Sequence, residues 1–195
     1  TLGHTYSPII HSALGNPQYT IFEIEPEDVQ TFLQRPDLQG LNITIPYKVD
    51  AMHACDHLSD IAKDIGCVNT MVRQADGSWY GTNTDYDGFL ATLSWSHINV
   101  TDRHCVILGD GASSQTVHIA LDRLGAKSIT HISRHTEPTY ESIPHFHETT
   151  QIIMNCTPVG MYPHCPNQSI QLAPFKRLEG VIDLVYNPHR TGILL

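Results

Sequence analysis

Lys48 closes the run Leu41-Asn42-Ile43-Thr44-Ile45-Pro46-Tyr47-Lys48, and Asp85 lies inside Gly81-Thr82-Asn83-Thr84-Asp85-Tyr86-Asp87-Gly88. An ammonium beside a carboxylate can hold and pass the proton that interconverts an alcohol and a ketone. Downstream, Gly109-Asp110-Gly111 offers a tight turn suited to a dinucleotide. A proton-transfer pair together with such a turn points to a dehydrogenase.

The turn has the right neighbours. Cys105 to Leu108 reads as a short buried strand before it, and Val117, Ala120, Leu121 and Leu124 stripe a helix closed by Gly125. A pyrophosphate would meet the backbone of Gly109, Asp110, Gly111, Ala112 and Ser113 at the helix N-terminus. The third glycine of the usual fingerprint is replaced by Ser114. At the end of the next strand, where an acidic residue would bind the ribose of NAD, the chain reads Ser133-Arg134-His135. An arginine there suits a 2′-phosphate and favours NADP(H). The competing reading of Arg134 is a surface pair with Glu137.

The elements that must position these residues follow from periodicity. In the first half, Gln18 to Ile24 reads as a strand, and Pro26 opens a helix carrying Val29, Phe32 and Leu33 that stops at Pro36. Asn42 to Ile45 reads as a short strand, Val49 to Cys55 as a helix, and Ser59 caps a helix ending at Gly66. Cys67 to Arg73 and Ser78 to Gly81 flank Ala75-Asp76-Gly77 as a hairpin. In the second half, Ser128 to Ser133, Gln151 to Asn155 and Val181 to Val185 continue a β-α-β rhythm of the parallel, doubly wound kind. The fold class expected is α/β: a substrate domain over 1–95 and a Rossmann-like NADP-binding domain over 96–195, with a cleft between them and a boundary near Leu93 to Asp102. The helix from Tyr86 is the connector.

Composition narrows the partners. Eleven Lys+Arg against 20 Asp+Glu give a formal charge of −9, which argues against nucleic acid or an anionic membrane surface. No apolar run approaches the roughly 20 residues of a membrane span, and Thr1-Leu2-Gly3-His4 is no secretory signal, so the cytoplasm is the expected location. Five scattered cysteines without a Cys-x-x-Cys pair fit reduced thiols. His131, His135, His145 and His147 lack metal-ligand spacing and read as solvated loop residues, so no metal is expected. Thr1 to His4 read as the end of a strand and Gly192 to Leu195 as the start of an element, as though both ends belonged to a longer polypeptide.

Six segments in order are similar to shikimate dehydrogenases. Gly3-His4-Thr5-Tyr6-Ser7-Pro8 resembles the family's carboxylate loop, which usually reads Ser-x-Ser-Pro; Asn42 to Lys48 is close to its most specific motif. Gly66-Cys67-Val68-Asn69-Thr70, Asn83-Thr84-Asp85, Asn155-Cys156-Thr157-Pro158-Val159-Gly160-Met161 and Asp183-Leu184-Val185-Tyr186-Asn187-Pro188 fit the remaining blocks. The resemblance implies reversible reduction of 3-dehydroshikimate to shikimate with NADPH, a step of aromatic amino acid (chorismate) biosynthesis. Lys48 and Asp85 would act at the reacting oxygen. Thr5 and Ser7 would bind the carboxylate, Thr44, Asn69 and Asp85 the ring hydroxyls, and Tyr186 would reach the substrate from the cofactor side. Thr157, Met161 and Val185 would line the nicotinamide region, with core packing the alternative for Met161.

Three features depart from the family pattern. His11 to Gln18 is short, Ser114 is not glycine, and the segment that in the family returns to the substrate domain with a substrate-binding glutamine is expected to be absent after Leu195. Two other readings stand beside the main one: an NAD-preferring quinate/shikimate dehydrogenase, and a catalytically silent sensor of shikimate-pathway metabolites. A sensor has no need of a proton-transfer pair. The protein is expected as a monomer or homodimer.

Overall fold

A computed structural model describes residues 5–195, so the strand end expected at Thr1 to His4 lies outside the described residues. The chain divides into two compact units, one running to Gln39 and one from Gly40 to Leu195. The boundary expected near Leu93 to Asp102 falls inside the second unit, between its two sheets.

The first unit holds helix α1 (Ser7–Ala13) and, after a single 3-10 turn at Pro26–Asp28, helix α2 (Val29–Leu33). Proline at the first helical position removes an N–H that would otherwise lack a partner, as the sequence anticipates. Gln18 to Ile24 is not a strand: it forms no ladder with another described segment. Its aromatic residues are engaged elsewhere: the Tyr19 ring stacks on His11 at 4.1 Å, and the Phe22 ring lies 4.9 Å from that of Phe32 with the Arg35 guanidinium over both. Alternating apolar residues therefore serve a small helix-facing cluster here.

In the second unit, strands β1 (Gly40–Asn42), β2 (His57–Leu58), β3 (Thr70–Arg73) and β4 (Trp79–Thr82) form a mixed sheet in the order β1-β3-β4-β2. β3 and β4 are the expected hairpin, antiparallel with Thr70 opposite Thr82. β1 corrects the strand expected at Asn42 to Ile45. Pairing with β3 begins at Gly40 opposite Val72 and ends with the Ile43 N–H on the Asn69 carbonyl, at 2.7 Å. Beyond it the Tyr47 N–H turns back to the Thr44 carbonyl, and Pro46 has no N–H for a ladder. Helices α3 (Lys48–His53) and α4 (Asp60–Ile65) follow. Ser59 caps α4 by accepting the Ala62 N–H, and Gly66 ends it at φ +79°.

Helix α5 (Asp85–Ser96) leads to the second sheet, made of β5 (His104–Leu108), β6 (Ser128–Ile132), β7 (Ile152–Asn155) and β8 (Gly180–Asp183). All pairings are parallel, in the order β6-β5-β7-β8. Cys105 and Ile107 face one layer, with Val117, Ala120 and Leu121 of helix α6 (Ala112–Arg123) and Phe89 and Leu93 of α5. Val106 and Leu108 face the other, with Ile170, Phe175 and Ile193. Burial on both faces is why β5 reads as a continuous apolar run rather than an alternating one. The second layer contains no long helix among the described residues. It is built from a 3-10 segment at Tyr140–Phe146 and loop residues, so only one of the two crossover layers is helical.

Candidate active site

Both members of the expected proton-transfer pair are the first residues of helices, Lys48 of α3 and Asp85 of α5. Lys48 Nζ donates to Asp85 Oδ2 at 2.5 Å, across 37 residues of sequence. The lysine side chain is 11% exposed and the carboxylate 42%, so the ammonium is sheltered while the carboxylate keeps an open side. Asp85 suits its place, because the first turn of a helix presents N–H groups that favour a negative charge. Cys67 lies within electrostatic reach: burial pushes its thiol up, and the Lys48 charge acts in the opposite direction.

The polar groups around the pair are held by one another. Asn69 Oδ1 accepts the Thr84 N–H at 2.9 Å and the Thr70 hydroxyl at 2.9 Å, and its Nδ2 donates to Thr84 Oγ1 at 3.1 Å. An amide has two N–H donors, and among the described residues Asn69 uses one of them, on Thr84. Thr44 is exposed at the turn before Lys48. In the first unit, the Thr5 hydroxyl donates to Ser7 Oγ at 3.0 Å and accepts the Ser7 N–H at 3.2 Å.

A second cluster lies at the carboxyl ends of the parallel strands, where an open α/β sheet receives its ligands. Gly109 follows β5 with φ +110°, a conformation suited to glycine, and a Cβ there would lie 3.3 Å from the Cys156 backbone. Gly111 precedes the first residue of α6 and faces open space, leaving the helix N-terminus approachable by a phosphate. Ser114 is fully buried, and its hydroxyl donates to the Gly111 carbonyl at 2.6 Å, which explains how serine stands where the fingerprint has glycine. Asp110 is exposed, Ala112 and Ser113 half-buried.

At the end of β6 the Ser133 hydroxyl accepts the His135 and Thr136 N–H groups, at 3.1 and 3.0 Å. The side chain is thus engaged in the turn, with Arg134 and His135 exposed beside it. No ion pair joins Arg134 to Glu137 among the described residues; the Glu137 carboxylate instead accepts the Thr139 N–H. Arg134 and Asp110 both act on the half-buried Tyr140, whose phenol is pushed up by burial, down by Arg134 and up by Asp110. His131 does not join His135, His145 and His147. It pairs with His118 of α6, ring nitrogens 2.9 Å apart.

Thr157 Oγ1 donates to Asn155 Oδ1 at 2.7 Å and meets Ser169 Oγ at 3.1 Å, which holds the loop after β7. Asn155 Nδ2 donates to Asp183 Oδ1 at 2.9 Å, and Thr191 closes on the other Asp183 oxygen. Val185 is buried, whereas Tyr186 and Met161 are exposed, so core packing does not account for Met161. Sequence reasoning assigned no role to Asn83, Asn155 or Asp183. Asn83 follows the last residue of β4, Asn155 and Asp183 end β7 and β8, and each accepts the N–H two residues on, at Asp85, Thr157 and Val185 respectively. The signal was legible as a short polar residue two places before an assigned site residue, the spacing of an Asx turn.

Residues 1–71 match the family model described as the shikimate dehydrogenase substrate binding domain. A shikimate dehydrogenase (NADP(+)) of Clostridium beijerinckii is 34% identical, over 99% of this chain and 78% of its own length. A shikimate dehydrogenase structure from Peptoclostridium difficile superposes with a TM-score of 0.89 at 31% identity, covering 100% of this chain and 78% of that one. A shikimate 5-dehydrogenase of Thermus thermophilus, solved with NADP(H) and shikimate, reaches 0.84 at 26% identity, over 99% of this chain and 78% of that one. Likeness in sequence and fold across nearly all of its residues establishes that this chain belongs to the shikimate dehydrogenase family.

Proposed function

We propose that Lys48 and Asp85 handle the proton in the reaction of this family, the reversible NADPH-dependent reduction of 3-dehydroshikimate to shikimate. The chain is an oxidoreductase of that kind by its family. The observation that carries the residue assignment is the 2.5 Å bond between the sheltered ammonium and the half-open carboxylate. When the ammonium gives its proton to the reacting oxygen it becomes a neutral amine, and solvent on the open side of Asp85 restores that proton for the next turnover. Lys48 donates it, and Asp85 holds and polarises the same group. Thr44 and Asn69 bind ring hydroxyls, Thr5 and Ser7 the carboxylate, and Tyr186 approaches from the cofactor side.

The open helix start at Gly111, the positive φ of Gly109 and the exposed Arg134 fit an NADP(H) phosphate set. Gly109, Asp110, Gly111, Ala112 and Ser113 would hold the pyrophosphate, Arg134 and His135 the 2′-phosphate, and Thr157, Met161 and Val185 the nicotinamide end. When bound, NADPH supplies the hydride. Residues 1–95 serve as the substrate domain and 96–195 as the cofactor domain, a division supported by the separate sheets on either side of α5. The work belongs to aromatic amino acid biosynthesis, and the five free thiols accord with the cytoplasm.

The test follows nicotinamide absorbance with shikimate and NADP, then NAD, then quinate with each. Turnover is expected to be fastest with shikimate and NADP. A preference for quinate or NAD would reject the assignment of Arg134 and the substrate. Absence of turnover with every pair would reject the catalytic reading.

A further inference from the structure

Two asparagines clasp the start of β3 to the end of β4, reaching in opposite directions. Asn69 reaches to Thr84, as described above. Asn83 reaches back, its Nδ2 donating to the Cys67 carbonyl and lying close to the Cys67 thiol, each at 3.3 Å. Its Oδ1 accepts the Asp85 N–H at 3.1 Å. Asn83 is 1% exposed, so both ends of the amide are satisfied by protein alone.

These partners connect to both members of the proton-transfer pair. The next residue after Cys67 is Val68, whose N–H donates to the Lys48 carbonyl at 2.9 Å. One amide therefore spans main-chain stations adjoining Lys48 on one side and belonging to Asp85 on the other. The Asp85 N–H, at the first position of α5, is one of those a helix leaves without an internal partner, and Asn83 accepts it.

We propose that Asn83 is a positioning residue that sets the separation of Lys48 and Asp85. This rests on the reading of those two residues as the proton-handling pair. An apolar residue at 83 leaves a buried carbonyl and a helix-start N–H without partners, and the two stations drift apart. A misplacement on the order of 1 Å at such a site can cost about a hundredfold in rate.

The experiment compares wild type with Asn83→Leu and Asn83→Asp, with rates expressed per folded molecule by circular dichroism. Asn83→Leu is expected to lower kcat by about tenfold to a hundredfold, leave the KM for NADPH unchanged, and displace the pH profile of kcat. Asn83→Asp keeps the acceptor for the Asp85 N–H. It should fall between the two, regaining rate as the pH is lowered, because a protonated carboxyl again offers one donor and one acceptor. Loss of melting temperature with the wild-type pH profile and kcat in either folded variant would overturn the proposal. If Asn83→Leu does not fold, Asn83→Asp alone decides. If wild type turns over no substrate, the functional reading fails. The positioning claim is then read from the carbon-13 titration of the Asp85 carboxyl, which must differ between wild type and Asn83→Asp for it to stand.

Discussion

Where β3 begins and β4 ends, side chains hold one another and the main chain; where β5 ends, the main chain is left open. Asn69, Asn83, Thr84 and the Lys48–Asp85 pair form a connected set in which most polar atoms already have partners. Around Gly109 and Gly111 the work falls instead to backbone conformation and a free helix start, with Arg134 projecting from the next strand end. Proton transfer requires fixed distances between particular atoms, whereas a pyrophosphate is satisfied by N–H groups that any sequence carries. Losing one side chain should therefore damage rate in the first region, and binding or stability in the second.

The sharpest way to break that contrast is at Lys48. Lys48→Ala should lower kcat by about a thousandfold while leaving NADPH affinity close to wild type, since the role proposed for the lysine lies in the transition state. Stopped-flow rates and a fluorescence titration of NADPH measure the two separately. Retained turnover would remove the lysine from the chemistry and with it the contrast.

Arg134→Ala tests the opposite side. Loss of a charge-assisted contact to the 2′-phosphate should weaken NADPH by about tenfold to a hundredfold, leaving NADH unaffected. Equal losses for the two cofactors would mean that the arginine does not read the phosphate. Gly109→Ala tests the backbone itself. The positive φ and the 3.3 Å approach to Cys156 predict a loss of roughly 1–3 kcal/mol in urea unfolding, together with weaker NADPH binding. Unchanged stability would show that the turn relaxes freely and is not held in shape.

Sequence reasoning served these two regions unequally. The parallel strands and α6 follow from apolar runs and a 3.6-residue stripe, because burial on both faces leaves a strong pattern. The first strand of the mixed sheet was misplaced, since Gly40 to Ile43 pairs through backbone groups while the apolar residue Ile45 lies exposed beyond it. Gln18 to Ile24 alternates like a strand, yet pattern alone does not supply the ladder that defines one. At the sites, the pairing of Lys48 with Asp85 was legible through their motifs. Asn83 was not, because its contribution lies in which backbone groups it reaches. Ser133 was legible as a position but not as a turn-former.

His131 illustrates the same limit and gives the smallest of the expected effects. Its spacing to the other histidines said nothing of its partner, because a strand residue facing α6 meets His118 across the layer. Burial holds the His131 imidazole below the ordinary histidine value of 6.5, and the facing His118 acts in the same direction; the Gly109 backbone and Asp110 oppose them. The folded chain thus keeps this ring neutral where the unfolded chain would already take up a proton. Its contribution to stability is present above pH 6.5 and is lost as the pH falls through the lowered folded value. Thermal melts of wild type between pH 8 and about 5 should decline on the acid side. His131→Gln, which cannot titrate, should flatten part of that decline while leaving the neutral-pH kcat near wild type. An identical acid limb in the variant would mean that the His118–His131 pair does not couple protonation to the layer beneath the glycine turn.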